Sequence, residues 1–114
     1  MSLDAQLAGA ASAVQEFFDR VLLASLELPD GWFGGRPGEN LHELTLVSAR
    51  QHRLLLELDG QLLLSISGRP EIAVHDSELV LSDFDQLVFD WQSYGELVHE
   101  TRVFRDGTVK FVGQ

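Results

Sequence analysis

A chain of 114 residues that is 45% hydrophobic fits one globular domain, residues 1–114, and is too apolar for a disordered segment. It contains no cysteine, which excludes a disulfide framework and a thiolate zinc site. A formal net charge of −10 opposes nucleic-acid backbones and anionic membranes, and suits either plain solubility or a basic protein partner.

Met1 to Ala10 has neither the basic start nor the continuous apolar core of a signal peptide. No apolar run approaches the ~20 residues of a membrane span. The chain therefore reads as cytoplasmic, with no membrane and no nucleic acid among its partners.

Residues 3–27 read as a helix. Leu3, Leu7, Ala10, Val14, Phe17 with Phe18, Val21, and Ser25 with Leu26 recur at steps of three and four, which is one helical stripe. Gln15, Glu16, Asp19 and Arg20 fall on the other side. Gly9 weakens the first turns by up to ~1 kcal/mol, so the firm part is 11–26. Pro29 ends the helix, because Leu28 before it is biased away from helical angles.

Residues 28–41 form the one irregular stretch of note. Trp32 and Phe33 stand among four glycines, with Arg36, Asn40 and His42 close behind. One reading is a recognition loop, with aromatic anchors and an arginine that meets a carboxylate. The other is a staple that fastens the helix to the sheet. The staple carries more weight, since buried aromatics dominate core energetics. The glycines are no phosphate loop, because no Gly-Lys-Ser/Thr follows them.

From residue 42 to 113 the apolar period is two. Strands are expected at 43–50, 52–57, 62–67, 71–75, 78–82, 86–92, 97–104 and 108–112. All connections are short, so neighbours in sequence should pair antiparallel. The predicted fold is α+β: an N-terminal helix, then a strongly curved antiparallel meander of about 7–8 strands, an open or partial barrel. The helix covers one side of it or plugs one end.

Side-chain parity tests the turns. Asp59-Gly60 and Asp106-Gly107 are hairpin signals. A two-residue turn at either step mixes apolar and charged side chains on both faces. Three-residue loops, 58–60 and 105–107, sort them cleanly. Leu56 then faces Leu62 and Leu54 faces Leu64; Val103 faces Val109 and Thr101 faces Phe111. Gly60 and Gly107 should have positive φ. Asp76-Ser77 works as a two-residue turn that pairs Val74 with Leu79 and Ile72 with Leu81.

The inward faces collect one core: Leu54, Leu56, Leu62, Leu64, Ile66, Ile72, Val74, Leu79, Leu81, Leu87, Phe89, Trp91, Val103, Val109 and Phe111. A second apolar set, Leu55, Leu63, Val80, Val88, Phe104 and Val112, lies on the opposite face. It is too large for scattered exposure, so the helix or a second subunit covers it. A homodimer is expected.

No catalytic motif stands out. His42, His52, His75 and His99 show no helical metal spacing, and Asp83-Phe84-Asp85 lacks the rest of a calcium loop. No nucleophile elbow is present. No metal and no cofactor are expected, and a non-enzyme is favoured. The leading reading is a small acidic binding module that uses loop 28–42 and the outer apolar face. Its candidate residues are Trp32, Phe33, Arg36, Asn40, His42, His99 and Asp90. The alternative is a small-molecule pocket or enzyme between sheet and helix, with Arg36, His42, His99 and Asp90 as its polar groups.

Overall fold

A computed structural model of the chain describes residues 3–36, 38–93 and 98–113. One helix, α1 (Leu3–Val21), precedes eight antiparallel strands of a single open sheet. The strands are β1 (Ala24–Leu28), β2 (Gly31–Trp32), β3 (Leu44–Arg50), β4 (Arg53–Leu58), β5 (Leu62–His75), β6 (Glu78–Ser93), β7 (Val98–Phe104) and β8 (Val109–Gly113). Their spatial order is β2-β1-β8-β6-β5-β4-β3, with β7 also paired to β6. The expected fold class holds. No helix among the described residues is long and apolar enough to cross a membrane.

The helix lies on the concave face. Leu7, Val14, Phe17 and Phe18 are buried in one cluster with Leu54, Leu56, Leu64, Phe89 and Phe111. Burying those four helix side chains contributes on the order of 6–12 kcal/mol, far more than helix propensity differences over the same span. Packing therefore holds α1 in place.

The helix is shorter than the expected 3–27. It ends at Val21, and Leu22 turns out of it with φ of 68°. Ala24 to Leu28 form a strand instead, pairing β8 from Ala24↔Gly113 to Glu27↔Lys110. In this strand Ala24, Leu26 and Leu28 alternate with Ser25 and Glu27, a period of two hidden under the helical stripe. Backbone pairing on both edges outweighs the marginal cost of stopping the helix early. Pro29 does not end the helix. With Asp30 it makes the turn of a hairpin that closes at Leu28↔Gly31, so the irregular stretch starts later than residue 28.

The first Asp-Gly hairpin keeps the expected faces but not the expected loop. Leu58 pairs Leu62, Leu56 pairs Leu64 and Leu54 pairs Ile66, so the loop is Asp59-Gly60-Gln61 rather than 58–60. Asp59 and Gly60 both have positive φ, 55° and 68°, and the Gln61 N–H donates to Leu58 O at 3.0 Å. Gln61 is the extra residue that preserves parity. The Asp76-Ser77 turn pairs Val74↔Leu79 and Ile72↔Leu81 as read from the sequence.

The second Asp-Gly step is no hairpin. β7 and β8 do not pair; both run along the same edge of β6, β7 from Leu87↔Phe104 to Ser93↔Val98 and β8 from Glu78↔Val112 to Leu81↔Val109. They behave as one long strand broken at 105–108. Gly107 does have the expected positive φ, 107°, but it serves a bend. The break also reverses parity: Phe104 packs inward, while Val103 is 52% exposed and turned outward beside Val88. Val103 thus leaves the expected core and Phe104 leaves the expected outer face. Val74, at the far end of β5, is also exposed rather than buried.

All three long strands bend at one level. Gly68 in β5 has φ of 95° at a shift in register, facing Phe84, and Asp83 in β6 has φ of 58°. The expected pairs of short strands, 62–67 with 71–75 and 78–82 with 86–92, are the two halves of these bent strands. A Cβ on Gly68 would lie 2.7 Å from the Asp85 backbone nitrogen. Gly68→Ala should therefore lose about 2–4 kcal/mol through strain and overpacking. Gly9→Ala, on a helix position with open space around it, should gain up to ~1 kcal/mol. Urea unfolding of the two variants checks both signs.

Candidate functional site

The chain from Gly31 to His42 crosses the open mouth between β1 and β3. Its anchor is Phe33, whose ring centre lies 5.0 Å from Phe89, 5.7 Å from Trp91 and 6.0 Å from His42. The Phe33 N–H donates to Leu26 O at 2.9 Å, and the Gly38 N–H donates to the buried Ser25 Oγ at 2.9 Å. Asn40 packs against Gly34 and Gly35, where an added Cβ would sit 3.0 and 2.8 Å from its side chain. Trp32 is half-buried on β2, and Arg36 is exposed.

His42 closes this plug. Its backbone exchanges two hydrogen bonds with Ala24: the His42 N–H donates to Ala24 O at 2.8 Å and the Ala24 N–H donates to His42 O at 3.0 Å. Its side chain is buried, and Nδ1 donates to Asp59 Oδ2 at 2.6 Å. Asp59 Oδ1 accepts the Glu43 N–H at 2.9 Å. An ionised carboxylate only accepts, so the imidazole proton sits on Nδ1. His42 Nε2 is buried with no hydrogen-bond partner among the described residues. Through its backbone and side chain His42, with Asp59, thus ties β1, the approach to β3 and the β4–β5 turn together.

His99 and Asp90 meet on the opposite, outer face. His99 Nε2 hydrogen-bonds Asp90 Oδ1, and Thr101 Oγ1 donates to the same oxygen at 3.0 Å. These side chains are exposed; Thr101 and Asp90 share a row with Leu63 and Glu57 across β7, β6, β5 and β4, and His99 stands in the adjacent row opposite Gln92. The neighbouring row is Val103, Val88, Ser65 and Leu55. The seven candidates therefore split. Phe33 and His42 belong to the inner plug, with Trp32, Arg36 and Asn40 along its rim, and Asp90 and His99 belong to the outer face.

Sequence reading missed four residues. Asp59 was only a turn residue, yet it holds His42. On β7, Arg102 Nε donates to Glu100 Oε1 at 2.8 Å, while Nη1 reaches Asp30 at 3.4 Å. The guanidinium also lies 5.8 Å from the Phe89 ring. The Glu100 hydrogen bond, aided by the charge of Asp30 and opposed by burial, raises the Arg102 pKa above its usual value. Only the fold brings these partners together, so no local pattern announces them.

No group of three or more His, Asp or Glu among the described residues is placed to hold a metal ion. Arg36, Asn40, His42 and His99 line none of four main surface grooves formed among the described residues. The one on the outer face, about 170 Å³, is bounded by Glu57, Gln61, Leu63 and Asp90.

Asp59→Ala should cost about 2–4 kcal/mol, since it unpairs a buried imidazole N–H and places alanine at positive φ. Asp59→Asn keeps an acceptor and tolerates that backbone, so less than half the loss is expected. Chemical denaturation of the pair measures the difference.

No protein-family model matches the chain, and neither the curated proteins nor the solved structures contain a match to it.

Proposed function

We propose that the chain is a small, acidic, cytoplasmic, non-enzymatic binding module. Its contact surface is the outer face of the β4–β7 half of the sheet. The observation that carries this reading is the row of Leu55, Val88 and Val103, interrupted by Ser65 and flanked by Leu63, on the face that α1 leaves uncovered; Val103 and Leu63 are exposed, and Leu55 and Val88 are half-buried. Exposed apolar groups gathered on one face and bordered by polar ones are the usual form of a protein contact site. Here the border includes Glu57, Asp90 and His99.

The partner is a protein, and the net charge of −10 favours a basic one. Loop 28–42 contributes through Arg36 and the half-buried Trp32, while Phe33 and His42 hold it in place. A second copy of the chain is also a partner, giving a homodimer.

The small-molecule reading has less support. Leu7, Val14, Phe17 and Phe18 fill the concave side where such a pocket would lie.

Affinity purification from the native cells tests the module. A protein retained by the wild type should be lost at least ~10-fold from Leu63→Glu and Val103→Glu, whose stability should stay within ~0.5 kcal/mol of wild type. The reading fails if both variants, together with Trp32→Ala and Arg36→Ala, retain the same proteins as the wild type.

A further inference from the structure

We propose that two copies of the chain join edge to edge along β7, antiparallel about a two-fold axis through Thr101. Glu100 of each then faces Arg102 of the other. The inference rests on the homodimer reading and says where the copies meet.

The sheet has four free edge segments among the described residues. Residues 71–75 of β5, which β4 does not cover, begin at a register shift. β2 is two residues long. β3 carries a register shift between Leu44 and Leu46 and lies against α1, and such irregularities blunt an edge. β7 differs from these three. Its seven residues pair β6 without a shift from Ser93↔Val98 to Leu87↔Phe104, and no strand pairs its other side. Its outward backbone donors and acceptors form a straight template for one more strand.

Charge then selects the occupant and the register. A two-fold edge contact is isologous, so each residue meets its mirror position about the centre. With Thr101 at the centre, Thr101 meets its own copy, a favourable cross-strand pair. Glu100 meets Arg102 in both directions, on the concave face where the two already pair within one chain. Centring on Glu100 or Arg102 instead puts like charges opposite each other. In a chain of net charge −10, β7 itself carries one acidic and one basic residue, opposite each other in this register, while Asp30 of each copy stands beside its own Arg102. Edge charges of one sign would block pairing; this pair is complementary to itself. Main-chain hydrogen bonds supply the affinity and the charges supply the register.

Sedimentation velocity at ~50 µM tests the contact on wild type, Glu100→Arg, Arg102→Glu and their equimolar mixture. Wild type should be a dimer. Each variant alone places like charges opposite each other, so its association should weaken at least ~10-fold. Mixed, the two are complementary again and should form a heterodimer. Circular dichroism and thermal unfolding check that both variants fold. Independently of any variant, the outward-facing amides of β7 should gain hydrogen-exchange protection as wild-type concentration rises. A monomeric wild type overturns the proposal. So does a wild-type dimer whose single variants associate as well as it does, or a mixture that associates no better than its parts. A dimer insensitive to the charge changes but broken by Leu63→Glu overturns the edge contact and supports the outer face instead.

Discussion

A flat sheet cannot wrap a single helix, and among the described residues one helix fills the concave side. The bend across β5, β6 and the β7–β8 line resolves that mismatch. Gly68, Asp83 and Gly107 take positive φ at one level of the sheet, so each long strand changes direction beside its neighbour. β6 carries the arrangement. It pairs β5 along both halves, β7 along one half and β8 along the other. The two halves then close on α1 from two sides, and the core is continuous from Leu7 to Phe111. Glycine at two of the three bend positions avoids the penalty that a Cβ brings at such angles. Asp83 meets it with a residue type that tolerates the left-handed region.

A bent open sheet leaves a mouth, and residues 33–36 and 38–42 cross it. Phe33 supplies the apolar body and His42 supplies the tie. The tie is directional where the aromatic packing is not. Nδ1 has one acceptor, Asp59, and the backbone of His42 has one partner, Ala24. β1 and the residue leading into β3 therefore meet at a bridge of two hydrogen bonds rather than a ladder, and the sheet stays open. Burial of the ring leaves Nε2 without a partner among the described residues, so this contact specifies geometry at some expense in stability.

Alternation along β6 separates scaffold from surface within a few residues. Phe89 packs inward, with the half-buried Trp91 against the plug, while Val88 and Asp90 point outward. The proposed contact face is thus the reverse side of the best-packed part of the molecule. A face mounted this way is rigid, which lowers the entropic cost of binding. In the proposed reading its acidic border would meet a basic partner and the strip on β7 a second copy.

The sequence by itself determined the helix, the sheet that follows it, and the faces of the paired strand residues between Arg53 and Phe89 other than Val74, while the buried Leu58 and Phe84 fall in segments it reads as turns. Those features follow from apolar period and parity, which are local. Turn chemistry added the Asp76-Ser77 register and the positive φ of Gly60 and Gly107. Only the tertiary structure decided which edge each strand takes. Leu26 fits a helical stripe and a strand equally well, and the open edge of β8 settles the matter. Val103 and Phe104 exchange faces because β7 pairs β6 rather than β8, a choice between two backbone ladders that no local pattern ranks. The candidate site was legible only as a set of residues near the loop. His42 with Asp59 and Arg102 with Asp30 join segments far apart in the chain, and those pairings exist only after the bend has brought the segments together.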